Sequence, residues 1–199
     1  MQLYPFSALL GRMKYIHRWS LMRAARTESL AEHTAETAQL AHLLCLIARR
    51  ITGAQVRPKT VAVAALYHDA PEILTGDLPT PVKYRSQAMR EAYDTLEAES
   101  IATLRAALPG PLEEELAPYL SGGLLTEKER QLLKAADRLS ALIKCMEEAQ
   151  NGSREFSAAL AQQKAALAAM DCAEADYFVE HLLPCYEKNL DELTRLALR

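Results

Sequence analysis

The chain has 199 residues, half of them hydrophobic and a quarter charged, with a formal net charge of -3. That balance excludes a disordered chain, and it argues against bulk attraction to nucleic acid or an anionic membrane. With 7 Gly and 6% aromatics, a turn-rich β sandwich or barrel is also excluded, while abundant Ala and Leu favour helix. One all-α domain spanning residues 1–199 is the expectation.

In chain order, Phe6, Leu9, Leu10, Met13 and Ile16 share one face of a first helix that runs out near Trp19. A basic, irregular stretch follows, with Arg18, Arg23 and Arg26. Ser29-Leu-Ala-Glu32 is a capping box, opening a long helix from about Leu30 to Ile51 that Thr52-Gly53 ends. Pro58 opens a third helix, which Pro71 stops just after His68-Asp69. Gly76-Asp77-Leu78-Pro79-Thr80-Pro81 is a proline-braced surface loop. A polar-faced helix runs from about Ser86 to Leu108 and ends at Pro109-Gly110-Pro111. Thr126-Glu-Lys-Glu129 is a second capping box, opening a helix through Leu132, Ala136, Leu139 and Ile143 to Asn151-Gly152. Two or three further helices finish the chain, with Pro184 kinking or starting one. The four cysteines lack metal-knuckle spacing and sit among apolar neighbours, so they are expected to be reduced core thiols. No apolar run reaches transmembrane length and no signal-peptide pattern opens the chain, so a cytoplasmic protein is expected.

Histidine is scarce, with five in the chain, so its placement is informative. His68-Asp69 ends an Ala-rich, apolar helix, where a buried carboxylate needs a cation or full hydrogen bonding. His33 lies in the first turn after the Ser29 box, and Asp137 stands among Ala135, Ala136, Leu139 and Ala141. Two imidazoles and two carboxylates form a mixed donor set suited to a divalent transition metal such as Co, Mn, Fe, Ni or Zn rather than Ca. His42, nine residues past His33, is about 900° around the helix and faces away. His17 and His181 are expected to be structural.

His33, His68-Asp69 and Asp137 in this order are similar to the H…HD…D signature of HD-domain phosphohydrolases. Arg18-Trp19, Arg23, Arg26-Thr27-Glu28, Ala31-Glu32-His33, Tyr67-His68-Asp69-Ala70-x-Glu72 and Thr75 through Tyr84 resemble the bacterial 5'-deoxynucleotidases of that superfamily. The resemblance runs from the first helix to the last and is loosest after Asn151. It departs at Pro71, which stands where a small polar residue would be unremarkable and so bears on the angle of Glu72. The resemblance implies a helical HD fold, a homodimer, and one divalent metal held by His33, His68, Asp69 and Asp137. It also implies phosphate removal from deoxyribonucleoside 5'-monophosphates.

Chemistry assigns roles within that frame. Glu72 is a candidate general base rather than a solvated carboxylate, and Arg18 a bidentate phosphate donor rather than a surface cation. Asp77 is a candidate acceptor for the sugar 3'-hydroxyl or a plain turn carboxylate, and Trp19 a pocket wall or a core plug. Leu78, Pro79 and Thr80 join Arg18, Trp19, His33, Asp69, Asp77 and Asp137 as expected substrate contacts. Two rivals remain: another nucleotide phosphohydrolase or phosphodiesterase of the superfamily, and a non-catalytic nucleic-acid binding module. The second draws on Arg12 to Arg26, which holds five Lys or Arg, no acid, and Trp19 for stacking.

Overall fold

The computed structural model describes residues 1–83 and 85–198. Tyr84, the last residue of the motif run, and Arg199 lie outside them. Eleven α-helices are found among the described residues, and no strand: α1 Phe6–Leu10, α2 Leu30–Ile47, α3 Pro58–Tyr67, α4 Glu72–Thr75, α5 Thr80–Lys83, α6 Gln87–Ala106, α7 Gly110–Leu120, α8 Glu127–Gln150, α9 Ser157–Ala168, α10 Ala173–His181 and α11 Leu190–Ala197.

Both capping boxes form. Glu32 N donates to Ser29 Oγ at 3.2 Å, and Ser29 N donates back to Glu32 Oε2 at 2.8 Å. Each box satisfies helix-end N–H groups that would otherwise lack partners, so α2 and α8 begin where the sequence places them. α2 passes into a π turn over Ala48–Thr52 and stops at Gly53, whose φ of 83° is the left-handed cap that glycine takes without strain. The first helix is shorter than expected. Its α-helical part ends at Leu10, a 3-10 turn carries Gly11–Tyr15, and Ile16 is already extended. The braced loop is also shorter, because Thr80 and Pro81 open the turn of α5. Pro109 ends α6 as anticipated, yet it also serves as N-cap of α7, since proline is tolerated in the first turn where N–H groups need no partner.

The central helix α2 packs against α3 and α8, with α9 and α10 closing the far side. Leu44, Cys45, Val61, Ala65, Leu132, Leu139 and Ile143 are almost wholly excluded from water there. A buried Leu or Ile contributes ~1.5–3 kcal/mol by its removal from water, so this layer fixes the three helices that carry His33, His68-Asp69 and Asp137. A smaller cluster of Phe6, Ala70, Leu104, Ala107 and Leu120 seats the opposite end. The four cysteines are free, and among the described residues no helix is long and apolar enough to cross a membrane.

Glu129 does more than cap α8. Its carboxylate also receives Arg57 N at 2.8 Å and Arg57 Nε at 2.9 Å, tying the start of α3 to α8. The Arg57 hydrogen bonds outweigh burial and hold this carboxyl down, at about 2. A depressed carboxylate stabilises the fold above its unfolded pKa, and that contribution disappears as pH falls through the folded value. We expect Glu129→Gln to lose ~1–3 kcal/mol at neutral pH, the scale of hydrogen bonds to a charged group. Urea melts from pH 5 to 2 provide the check: the wild type should converge on the variant as the pH drops, and a constant gap would refute the ion-pair account.

Candidate active site

Two helix ends and one helix middle meet at the site. His33 lies one turn into α2, His68 caps α3, and Asp137 faces outward from the middle of α8. His33 Nε2 stands 3.4 Å from Asp69 Oδ2 and 3.2 Å from Asp137 Oδ1, and His68 Nε2 stands 3.1 Å from Asp69 Oδ2. One donor atom from each of His33, His68 and Asp69 lies within 4.8 Å of the others. Asp137 joins them through His33, with 42% of its side chain exposed.

Each imidazole is fixed from behind. His68 Nδ1 donates to the carbonyl of Ala65 at 2.7 Å. His33 Nδ1 meets Ser140 Oγ at 3.0 Å, and that hydroxyl donates to Glu36 Oε2 at 2.6 Å. The serine proton is therefore committed to Glu36, which leaves its oxygen to accept from His33. With Nδ1 committed as a donor, each ring keeps Nε2 for a metal once that nitrogen is deprotonated, and both Nε2 atoms are buried without a hydrogen-bond partner among the described residues. Imidazole nitrogens converging on carboxylate oxygens are what a divalent ion between them would satisfy by displacing any proton, and the tethered far nitrogens are the usual companions of metal-binding histidine. The donor set fits the metal.

The charges agree with that geometry. Burial opposes ionisation of Asp69, yet the neighbouring imidazoles hold its carboxyl well below the usual range. Burial likewise opposes a charged His33, but Asp137, Asp69 and Glu28 raise its pKa well above 6.5. Glu72 differs. Burial, reinforced by Asp69 and Asp77, pushes its carboxyl up to about 9, and its Oε2 has no hydrogen-bond partner among the described residues.

The segment between α1 and α2 folds back over this centre. Arg18 N donates to Glu28 O and Leu30 N to Ile16 O, both at 2.9 Å, making a short antiparallel bridge. Arg18 is partly buried, with Nη1 3.6 Å from Asp69 Oδ2 and Nε 3.7 Å from Glu28 Oε1. Trp19 adopts φ 58°, a left-handed conformation costly for a bulky residue. Its Nε1 donates to Glu28 Oε2 at 2.7 Å, and its ring packs on Phe156 with centroids 5.3 Å apart. Farther along, Ala25 N and Arg26 N donate to Glu148, and Lys144 Nζ donates to Arg26 O and Glu148. That buried pair on α8 anchors the whole segment.

A cleft of about 460 Å³ opens beside the centre, within the range of small-molecule pockets. Arg18, Trp19, Asp77, Pro79, Thr80 and Asp137 line it, along with Lys134, Arg138 and Gln163. Leu78 does not join them: it lines a separate groove with Leu74, Met89 and Leu96. Trp19 is thus both a packed ring and a cleft wall. His42 and His17 are exposed, and His181 packs on Tyr177. Sequence reasoning gave no role to Glu28, Ser140, Glu36 or the Lys144–Glu148 pair. Only the last left a signal, a lysine inside the otherwise apolar Leu142–Met146 stretch with a glutamate four residues on.

A helical bundle that gathers His33, His68-Asp69 and Asp137 in this way is the HD-domain phosphohydrolase fold. An HD-domain phosphohydrolase from Listeria innocua superposes with a TM-score of 0.79 over 96% of this chain and 95% of that one, at 22% identity. The HD phosphohydrolase of cyanophage S-2L, bound to dA and one catalytic Zn2+ ion, gives 0.63 over 89% and 96%, at 20% identity. Within that class the chain belongs to the YfbR-like 5'-deoxynucleotidase family, whose model matches residues 5–186. The 5'-deoxynucleotidase of Cronobacter sakazakii is 42% identical over 190 residues, 96% of both chains. A Shigella dysenteriae 5'-deoxynucleotidase is 40% identical over the same shares.

Proposed function

We propose that this chain is a metal-dependent 5'-deoxynucleotidase, releasing phosphate from deoxyribonucleoside 5'-monophosphates. The observation that carries the reading is the pair of unpartnered Nε2 atoms facing Asp69 and Asp137, at the edge of a nucleotide-sized cleft. His33, His68, Asp69 and Asp137 would hold one divalent ion, with Co or Mn as candidate metals. When bound, such an ion neutralises phosphate charge and lowers the pKa of a water.

The chain's own residues do the rest. Arg18 offers the phosphate a planar guanidinium whose Nε is buried without a hydrogen bond among the described residues, and Asp69 and Glu28 hold it in place. Glu72 takes the proton of the attacking water, and the cation's field offsets the like charges that otherwise keep its carboxyl protonated. Asp77 accepts from the sugar 3'-hydroxyl, so a 3'-phosphate would set two anions together. Trp19, pinned by Glu28 and Phe156, cannot retreat from a 2'-hydroxyl, which must clash or be buried unpaired.

Phosphate release from dAMP and AMP with added metal tests this. Wild type should favour dAMP, and Trp19→Ala should shrink the dAMP-to-AMP ratio of kcat/KM by ~10-fold or more, the scale of one unpaired buried hydroxyl. If the variant slows both substrates equally, Trp19 is only a packing residue. Arg18→Lys keeps the charge but loses the fork. Its kcat/KM should fall by ~10-fold or more, and wild-type kinetics would reduce Arg18 to a structural cation. The proposal extends to a homodimer, which sedimentation equilibrium checks. The binding-module rival is the weaker reading, because three of its five basic residues are engaged within the fold: Arg18 with Asp69 and Glu28, Arg23 with Glu155, Arg26 with Glu32.

A further inference from the structure

Glu72 opens α4 with Oε2 buried and without a hydrogen-bond partner among the described residues. Its other oxygen faces α6: Tyr93 Oη donates to Glu72 Oε1 at 3.4 Å. Tyr93 is only 4% exposed on a helix whose other buried residues are Ser100 and Leu104. Above the phenol ring sits a cation, Lys83 Nζ, 3.7 Å from the ring centroid. Lys83 ends α5, the turn that begins at the cleft residue Thr80, directly after Asp77 and Pro79 of the same cleft. One aromatic ring therefore touches both the segment that lines the cleft and the carboxyl assigned to the water.

We propose that Tyr93 is a positioning residue for the hydrolysis, fixing Glu72 through Oε1 so that Oε2 is free for the attacking water, with Lys83 latching the cleft segment onto the Tyr93 ring. The proposal rests on the reading of Glu72 as general base. A carboxyl's last torsion is broad and nearly two-fold, so one tethered oxygen decides where the other points. The 3.4 Å separation is long for O–H···O, as hydrogen bonds at such sites often are before substrate binds, and it tightens in the loaded complex. An ammonium over an aromatic face is attractive, so the latch holds the ring while leaving its hydroxyl for Glu72. The competing role for Tyr93 is a plug beneath α4, which phenylalanine fills equally well.

Kinetics on dAMP with bound metal separate the two. Tyr93→Phe should lower kcat by ~10-fold or more, the usual cost of losing a supporting partner, with KM, metal content and helical circular dichroism unchanged. In a Glu72→Gln background the same change should add nothing, because the two act as one unit. Lys83→Met should lower kcat and raise KM together, and Lys83→Arg should restore both. Wild-type kcat in Tyr93→Phe, or an equal loss with and without Glu72, makes Tyr93 a plug and overturns the proposal. Wild-type constants in Lys83→Met remove the latch. Unchanged turnover in Glu72→Gln alone would instead sink the general-base reading, and this proposal with it.

Discussion

Glu72→Gln is expected to cut kcat by ~10²–10⁴, the usual range for a general acid or base, without releasing metal and while stabilising the metal-free protein. The stability gain follows from the raised carboxyl. Its ordinary value is 4.5, and burial with Asp69 and Asp77 lifts it to about 9 in the fold. Below the lower value the proton is bound in both folded and unfolded states, and nothing depends on pH. Between the two values the unfolded chain releases its proton while the folded chain keeps it, so folding becomes less favourable as pH rises. Glutamine has no such proton to hold. The gap in Tm between variant and wild type should therefore open above pH 5 and widen towards pH 9, each kcal/mol relieved being worth ~2–4 °C in a chain of this size. Thermal melts of metal-free protein across that range, with metal analysis of the loaded form, decide the matter. A gap independent of pH would remove the account of the carboxyl, and metal loss would make Glu72 a ligand.

The second large effect concerns the donor set. Asp137→Ala, His33→Ala and His68→Ala should each lose stoichiometric metal and with it activity, while helical circular dichroism persists. The helices stand on the Leu132, Leu139 and Ile143 layer, which none of these side chains joins. Metal uptake by the wild type should also weaken as pH falls. His33 binds a proton well above the ordinary imidazole range, and a ligand must shed its proton before it can coordinate. Titration with metal between pH 8 and 6 shows this as a rising dissociation constant. Stoichiometric metal in Asp137→Ala, or uptake indifferent to pH, would mean that the ion sits elsewhere.

Much of the site was legible before folding because its signals are local or chemically expensive. A capping box is satisfied by atoms three residues apart, so Ser29 and Thr126 marked the starts of α2 and α8 regardless of their surroundings. Asp137 among alanines and His68-Asp69 on an apolar helix advertised a cation, since an uncompensated buried carboxylate costs several kcal/mol. The alignment of His33 with them could be read only as a motif. What makes it a site is the packing of α2 against α3 and α8.

Tertiary structure alone decided the remainder. Trp19 leaves the first helix early and turns left-handed because Glu28, Phe156 and the distant Lys144–Glu148 pair hold its segment. No spacing rule links residues separated by more than 100 positions. Leu78 parts company with Asp77 and Pro79, and Tyr93 reaches Glu72 from a helix that reads as polar and solvated. The sequence by itself determined which helices form and which side chains need a cation, since those depend on neighbours a turn away and on the cost of burying charge. Which ring walls the cleft, which serine steadies His33 and which phenol meets the base were settled by how the helices cross, a property of the packed core as a whole.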